Sequence, residues 1–196
     1  MLRKFGRFTT TLFAMALASC GLPSQAQMTD ITGVMPALSF HLMRSNDNAA
    51  VGAESYRGKA VILYFGYTHC PDECPTTLAN LASVLKRLGP QANDVRVLFV
   101  SVDPARDTSP ILKSYVQAFA PEIDGLRGSD DAVAALARRY RVIYSVTPES
   151  PGHPYLVMHS ASVFMFDRNG RARFVTMSTD HTAEIATQLE KLLSAH

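Results

Sequence analysis

Residues 60–75 read AVILYFGYTHCPDECP, and the fold class can be taken from them. Residues 60–67 are a continuous apolar run of strand length, the pattern of a strand buried on both faces of a sheet. The run leads straight into Cys70 and Cys74. Residues 76–88 then place Leu78, Leu81, Leu85 and Leu88 on one side of a helix, which Gly89-Pro90 stops. A cysteine pair therefore lies between a buried strand and the helix that follows it.

On either side of this unit the pattern continues. Residues 37–43 alternate like a strand, and 95–102 form a second buried strand. A helix is expected over 107–119, beginning near Thr108 with Pro110 in its first turn, and another over 130–139. Residues 140–146 look extended, and 150–154 (SPGHP) form a turn-rich insertion. Residues 161–166 and 171–177 make a hairpin about Asp167-Arg168-Asn169-Gly170, and the last helix covers about 182–193. This order of elements is α/β. The economical architecture is a thioredoxin-like sandwich with a central mixed sheet, an N-terminal hairpin and an inserted hairpin. Its site is expected at the carboxyl end of the first buried strand.

The N-terminus reads differently. Arg3, Lys4 and Arg7 precede a short apolar run over 12–18, too short to span a bilayer as a helix, and the pattern is that of a secretory signal. Leu17-Ala18-Ser19-Cys20 resembles a bacterial lipobox, which makes Cys20 the lipidation candidate. The expected organisation is a signal over 1–19, an anchor and tether over 20–35, and one domain over 36–196. That domain would face the oxidising periplasm from the bacterial cell envelope. Setting Cys20 aside leaves only Cys70 and Cys74. The formal charge of +2, less the three signal cations, becomes −1, and no basic stripe points to nucleic acid.

Pro75 suits the first position of a helix, which makes Cys74 approximately the N-cap, with Cys70 in the loop before it. A thiol there would be stabilised as thiolate by the helix dipole, provided Asp72 and Glu73 face water. Three chemistries are open. A structural disulfide would close a very small loop for little entropic gain. A thiol–disulfide couple is feasible at this spacing, with Cys70 attacking and Cys74 resolving. A soft-metal site is the third: two thiolates suit Cu(I), and an added imidazole suits copper in either oxidation state. Zinc would want four such ligands in a closed site. Within the thiol chemistry, a peroxidase would need a low-pKa thiol with a nearby arginine, for which Arg106 is the candidate. Among the histidines, spacing alone does not separate His159 from His153. His69 would point away from Cys70, and His41, His181 and His196 are expected in solvent.

The chain resembles the Sco/SenC family. YFGYTHCPDECP matches the family's cysteine motif, SVDPARDTSP (101–110) a second block and YLVMHSASVFMFDRNGR (155–171) a histidine block. The resemblance covers roughly residues 36–195. It implies a tethered thioredoxin-like domain that binds one copper ion, as Cu(I), Cu(II) or both, through Cys70, Cys74 and His159. The implied role is copper delivery to, or thiol maintenance of, the dinuclear copper centre of cytochrome c oxidase. Partners would be the copper-bearing oxidase subunit or another copper chaperone. Met158 stands where the family often carries an aspartate.

Overall fold

The computed structural model describes residues 28–194, so the expected signal, Cys20 and residues 21–27 of the tether lie outside it. In chain order the elements are β1 (Thr29–Asp30), β2 (His41–Arg44), β3 (Ala50–Gly52), β4 (Ala60–Gly66), α1 (Glu73–Leu88), β5 (Val95–Ser101) and α2 (Ser109–Gln117). They continue with β6 (Ile123–Arg127), α3 (Asp130–Arg139), β7 (Tyr144–Thr147), β8 (Leu156–His159), β9 (Val163–Phe166), β10 (Ala172–Thr176) and α4 (Thr182–Ser194).

Eight strands make one sheet in the order β1-β10-β9-β4-β5-β6-β2-β3. β4 is buried along all seven residues and is paired on both sides: β5 runs parallel to it and β9 antiparallel. β6 continues the parallel set beyond β5, and the outer pairings are antiparallel. The expected mixed α/β, thioredoxin-like architecture is what forms. α1 buries Leu78, Leu81, Leu85 and Leu88, as their spacing predicts, and packs along α4.

Several boundaries differ from the sequence reading. Residues 29–35 do not all belong to a tether, because Thr29 and Asp30 pair with Val175 and Phe174 at the sheet edge. Of residues 37–43 only the last three enter a strand, although Leu38 and Phe40 are buried in the segment before it. β6 carries Asp124 and Gly125 and shows no apolar run. Its acid is tolerated in the interior because the Tyr56 hydroxyl donates to it at 2.9 Å and the Asn46 amide at 3.0 Å. Residues 140–143 are not strand. Tyr140 packs against Phe164 and Phe166 with ring centroids 5.6 and 5.5 Å away. Arg141 then takes a left-handed φ of 56°, and the strand starts only at Tyr144. β8, also unread, pairs with β7 alone in a separate ribbon, placing Tyr144 opposite His159.

β4 ends in Gly66, where a β-carbon would stand 2.6 Å from Phe99 Cε2 and 2.8 Å from Cys74 Sγ. Gly66→Ala is therefore expected to force the strand end, the ring and the sulfur apart, at about 1–3 kcal/mol. Urea unfolding should show a lower midpoint with an unchanged slope. An unchanged midpoint would mean that the contact is slack.

Candidate metal centre

Cys74 is the second residue of α1 and Pro75 the third, two positions deeper than the sequence reading placed them. Asp72 is the N-cap, but its side chain accepts no capping bond. The Cys74 N–H instead donates to Cys70 Sγ at 3.4 Å, so the sulfur of Cys70 serves the open helix end. Asp72 and Glu73 face solvent as expected. The two thiols then part company. Cys70 is half-buried, whereas Cys74 is buried completely beneath the end of β4. That burial pushes the Cys74 thiol up to about 12, so desolvation outweighs the helix terminus, contrary to the thiolate expected there.

β8 brings His159 over the pair, with Nε2 3.3 Å from Cys74 Sγ. The other ring nitrogen, Nδ1, lies 3.2 Å from the carbonyl oxygen of Ser160. A carbonyl only accepts, so Nδ1 carries the proton and Nε2 presents its lone pair to the sulfur. Burial lowers the histidine pKa and favours this neutral ring. Tyr67 and Tyr64 wall the imidazole edge-on, at 5.8 and 6.1 Å between centroids. The Tyr64 hydroxyl is buried with no hydrogen-bond partner among the described residues, an orphan donor beside the cluster.

Ligand atoms of Cys70, Cys74 and His159 all lie within 4.8 Å of one another. Two sulfurs and one imidazole nitrogen form a soft three-donor set, which fits a copper ion and falls short of a closed zinc site. The other histidines stand apart from this group. His41, His153 and His181 are exposed. His69 turns to Thr68 Oγ1 at 3.1 Å, and His196 lies outside the described residues. Arg106 is paired with buried Asp103, and among the described residues it makes no hydrogen bond to either cysteine.

The loop after β5 positions the cysteine segment, a role that sequence reasoning missed. Asp107 is fully buried and accepts from the Thr68 hydroxyl at 2.6 Å, the Thr68 N–H at 3.1 Å and the Ser101 hydroxyl at 2.6 Å. Arg127 closes the same loop by donating to the carbonyls of Asp107 and Pro104, each at 3.1 Å. The visible signal was an acidic, proline-bearing run, VDPARD, directly after a buried strand, with no indication of what its acids held.

The family model SCO1/SenC matches residues 33–194. The bovine (Bos taurus) protein SCO2 homolog, mitochondrial, is 41% identical over 134 residues, which is 64% of this chain and 50% of that protein. The chain thus spans about half the length of this curated relative. Among solved structures, Arabidopsis thaliana ScoI with copper bound shares 34% identity at a TM-score of 0.72, covering 80% of this chain and 97% of that one. Yeast Sco1 with copper bound shares 30% identity at a TM-score of 0.73, covering 83% and 90%. With the family model spanning nearly all of the described residues, the chain belongs to the SCO1/SenC family.

Proposed function

We propose that this chain is a copper-binding metallochaperone that assists assembly of the dinuclear copper centre of cytochrome c oxidase. The observation that carries the reading is the Cys70, Cys74 and His159 cluster, whose donor atoms lie within 4.8 Å of one another. The copper-bound Arabidopsis and yeast relatives support it. In this reading Cys70 and Cys74 bind copper as thiolates and His159 through Nε2, as the Ser160 carbonyl orients it. The buried Cys74 thiol gives up its proton when copper enters, so binding releases protons. Copper is cargo, and Cys70 and His159, both only partly buried, leave it accessible to a partner's thiols. Those thiols would take it by ligand exchange. The partner is the copper-bearing oxidase subunit or another copper chaperone. The domain works from the periplasmic side of a bacterial envelope, held by lipid on Cys20. Among the described residues no helix is long and apolar enough to cross a membrane.

A second reading has one observation of its own, the unequal burial of two free thiols. Cys70 can attack a disulfide in a copper protein, and Cys74 can then displace the mixed disulfide. The partner is reduced to two thiols and the pair is oxidised to a Cys70–Cys74 disulfide. This chemistry needs no His159.

Competition titration with a Cu(I) chelator separates the two readings. The wild type should bind one copper ion, and each of Cys70→Ala, Cys74→Ala and His159→Ala should lose roughly 100-fold or more in affinity, since even outer-shell partners are worth about 10–100-fold. Unchanged binding in all three variants would eliminate the site. Full disulfide exchange by a His159→Ala protein that no longer holds copper would favour the second reading as the main role.

The anchor has a separate test. Expressed in a bacterium, the wild type should fractionate with membranes and Cys20→Ser should not. Equal membrane association of the two would rule out lipidation at that position.

A further inference from the structure

Copper binding by Cys70, Cys74 and His159 leaves one neighbouring polar cluster without a role. Asp103 is buried, at 1% exposure, in the loop after β5. Its Oδ1 accepts from the Tyr155 hydroxyl at 2.8 Å, and its Oδ2 accepts from Arg106 Nε. The Arg106 guanidinium stacks 3.9 Å from the Tyr155 ring centroid and 5.9 Å from that of Tyr67. Tyr67 packs edge-on against His159, and its hydroxyl donates to the Val157 carbonyl at 3.4 Å.

These contacts join two parts that no main-sheet hydrogen bond joins. Tyr155 immediately precedes β8, and β8 carries Val157 and His159. β8 pairs only with β7, and a two-stranded ribbon is marginal by itself. The loop that holds Asp103 and Arg106 also holds Asp107, which fixes the cysteine segment through Thr68. One loop therefore grips the cysteine side with Asp107 and the histidine side with Asp103.

We propose that Asp103, Arg106 and Tyr155 form a latch that sets the distance between His159 and the cysteine pair, an inference that rests on the copper-binding reading. They are positioning residues for the third ligand. The carboxylate supplies the bond to Tyr155, and the guanidinium neutralises that carboxylate while filling the space between the two tyrosine rings. A closed latch keeps Nε2 against Cys74. An open one frees the ribbon and leaves two sulfurs, a weaker grip on the cargo.

The test is a cycle on the full chain, with Cu(I) affinity read by chelator competition. Tyr155→Phe keeps the ring over Arg106 and removes only the hydroxyl. It should weaken copper binding about tenfold, the range of lost outer-shell partners, and this loss should vanish in a His159→Ala background. In the Cu(II)-loaded protein, electron paramagnetic resonance should show weaker imidazole-nitrogen coupling while the thiolate-to-copper absorption band persists. Arg106→Lys keeps the charge and removes the planar stack, and it should shift both readouts the same way. Wild-type affinity in both Tyr155→Phe and Arg106→Lys would overturn the latch. So would an equal loss with and without His159, which would report general loosening. A wild type that binds no copper, or binds it independently of His159, would defeat the copper reading first and the latch with it.

Discussion

The sulfur of Cys74 lies 2.8 Å from the place a β-carbon of residue 66 would occupy, and the site depends on that position being glycine. β4 is the central buried strand, paired on both sides, so a side chain at its end would press on both Phe99 and Cys74. A glycine there lets α1 start directly under the strand, with its second residue inside the protein. Both features of the dithiol follow from this. Cys74 is buried, which pushes its thiol up, while Cys70, four residues earlier, stays half-buried and accepts the N–H of Cys74. A copper ion bound here would be gripped from within by one sulfur and remain reachable through the other.

The third donor arrives by a different physical route. Cys74 lies on α1, against the end of β4, the strand paired on both sides in the main sheet. β8, with His159, belongs to a small ribbon outside that sheet and joins main-sheet β9 after three residues. Two buried acids of one loop reach both sides of the site, Asp107 bonding Thr68 on the cysteine side and Asp103 bonding Tyr155 on the histidine side. Each acid is satisfied by hydrogen bonds, as a buried carboxylate must be if it is not to destabilise the fold. Cys74 sits on a helix, Cys70 in the loop before it, and His159 on a ribbon whose Val157 is buried in the core.

The architecture was legible because its centre is written in apolar runs. AVILYFG and VRVLFVS read as buried strands, and the leucines of α1 fall at helical spacing. What the sequence hid were elements held by particular partners. β6 contains an acid that Tyr56 and Asn46 satisfy from distant positions, and β8 is short, polar-ended and paired outside the sheet. At the site, the cysteines announced themselves by their place before a helix. His159 was not separable from His153 by spacing, because the difference is made by the β7–β8 register, which sets Tyr144 opposite His159. The Cys74 thiol is pushed up where a helix terminus was expected to lower it, for a related reason: depth is a tertiary property, and desolvation outweighs a half-charge at a helix end.

If two sulfurs and one histidine nitrogen of this chain share one copper ion, X-ray absorption at the copper edge will register all three donors. The sample is full-length protein loaded with one equivalent of Cu(I). The expected coordination shell is two sulfurs and one nitrogen, with the nitrogen lost in His159→Ala. A shell without sulfur, or one identical in the wild type and the His159→Ala variant, would refute the shared site.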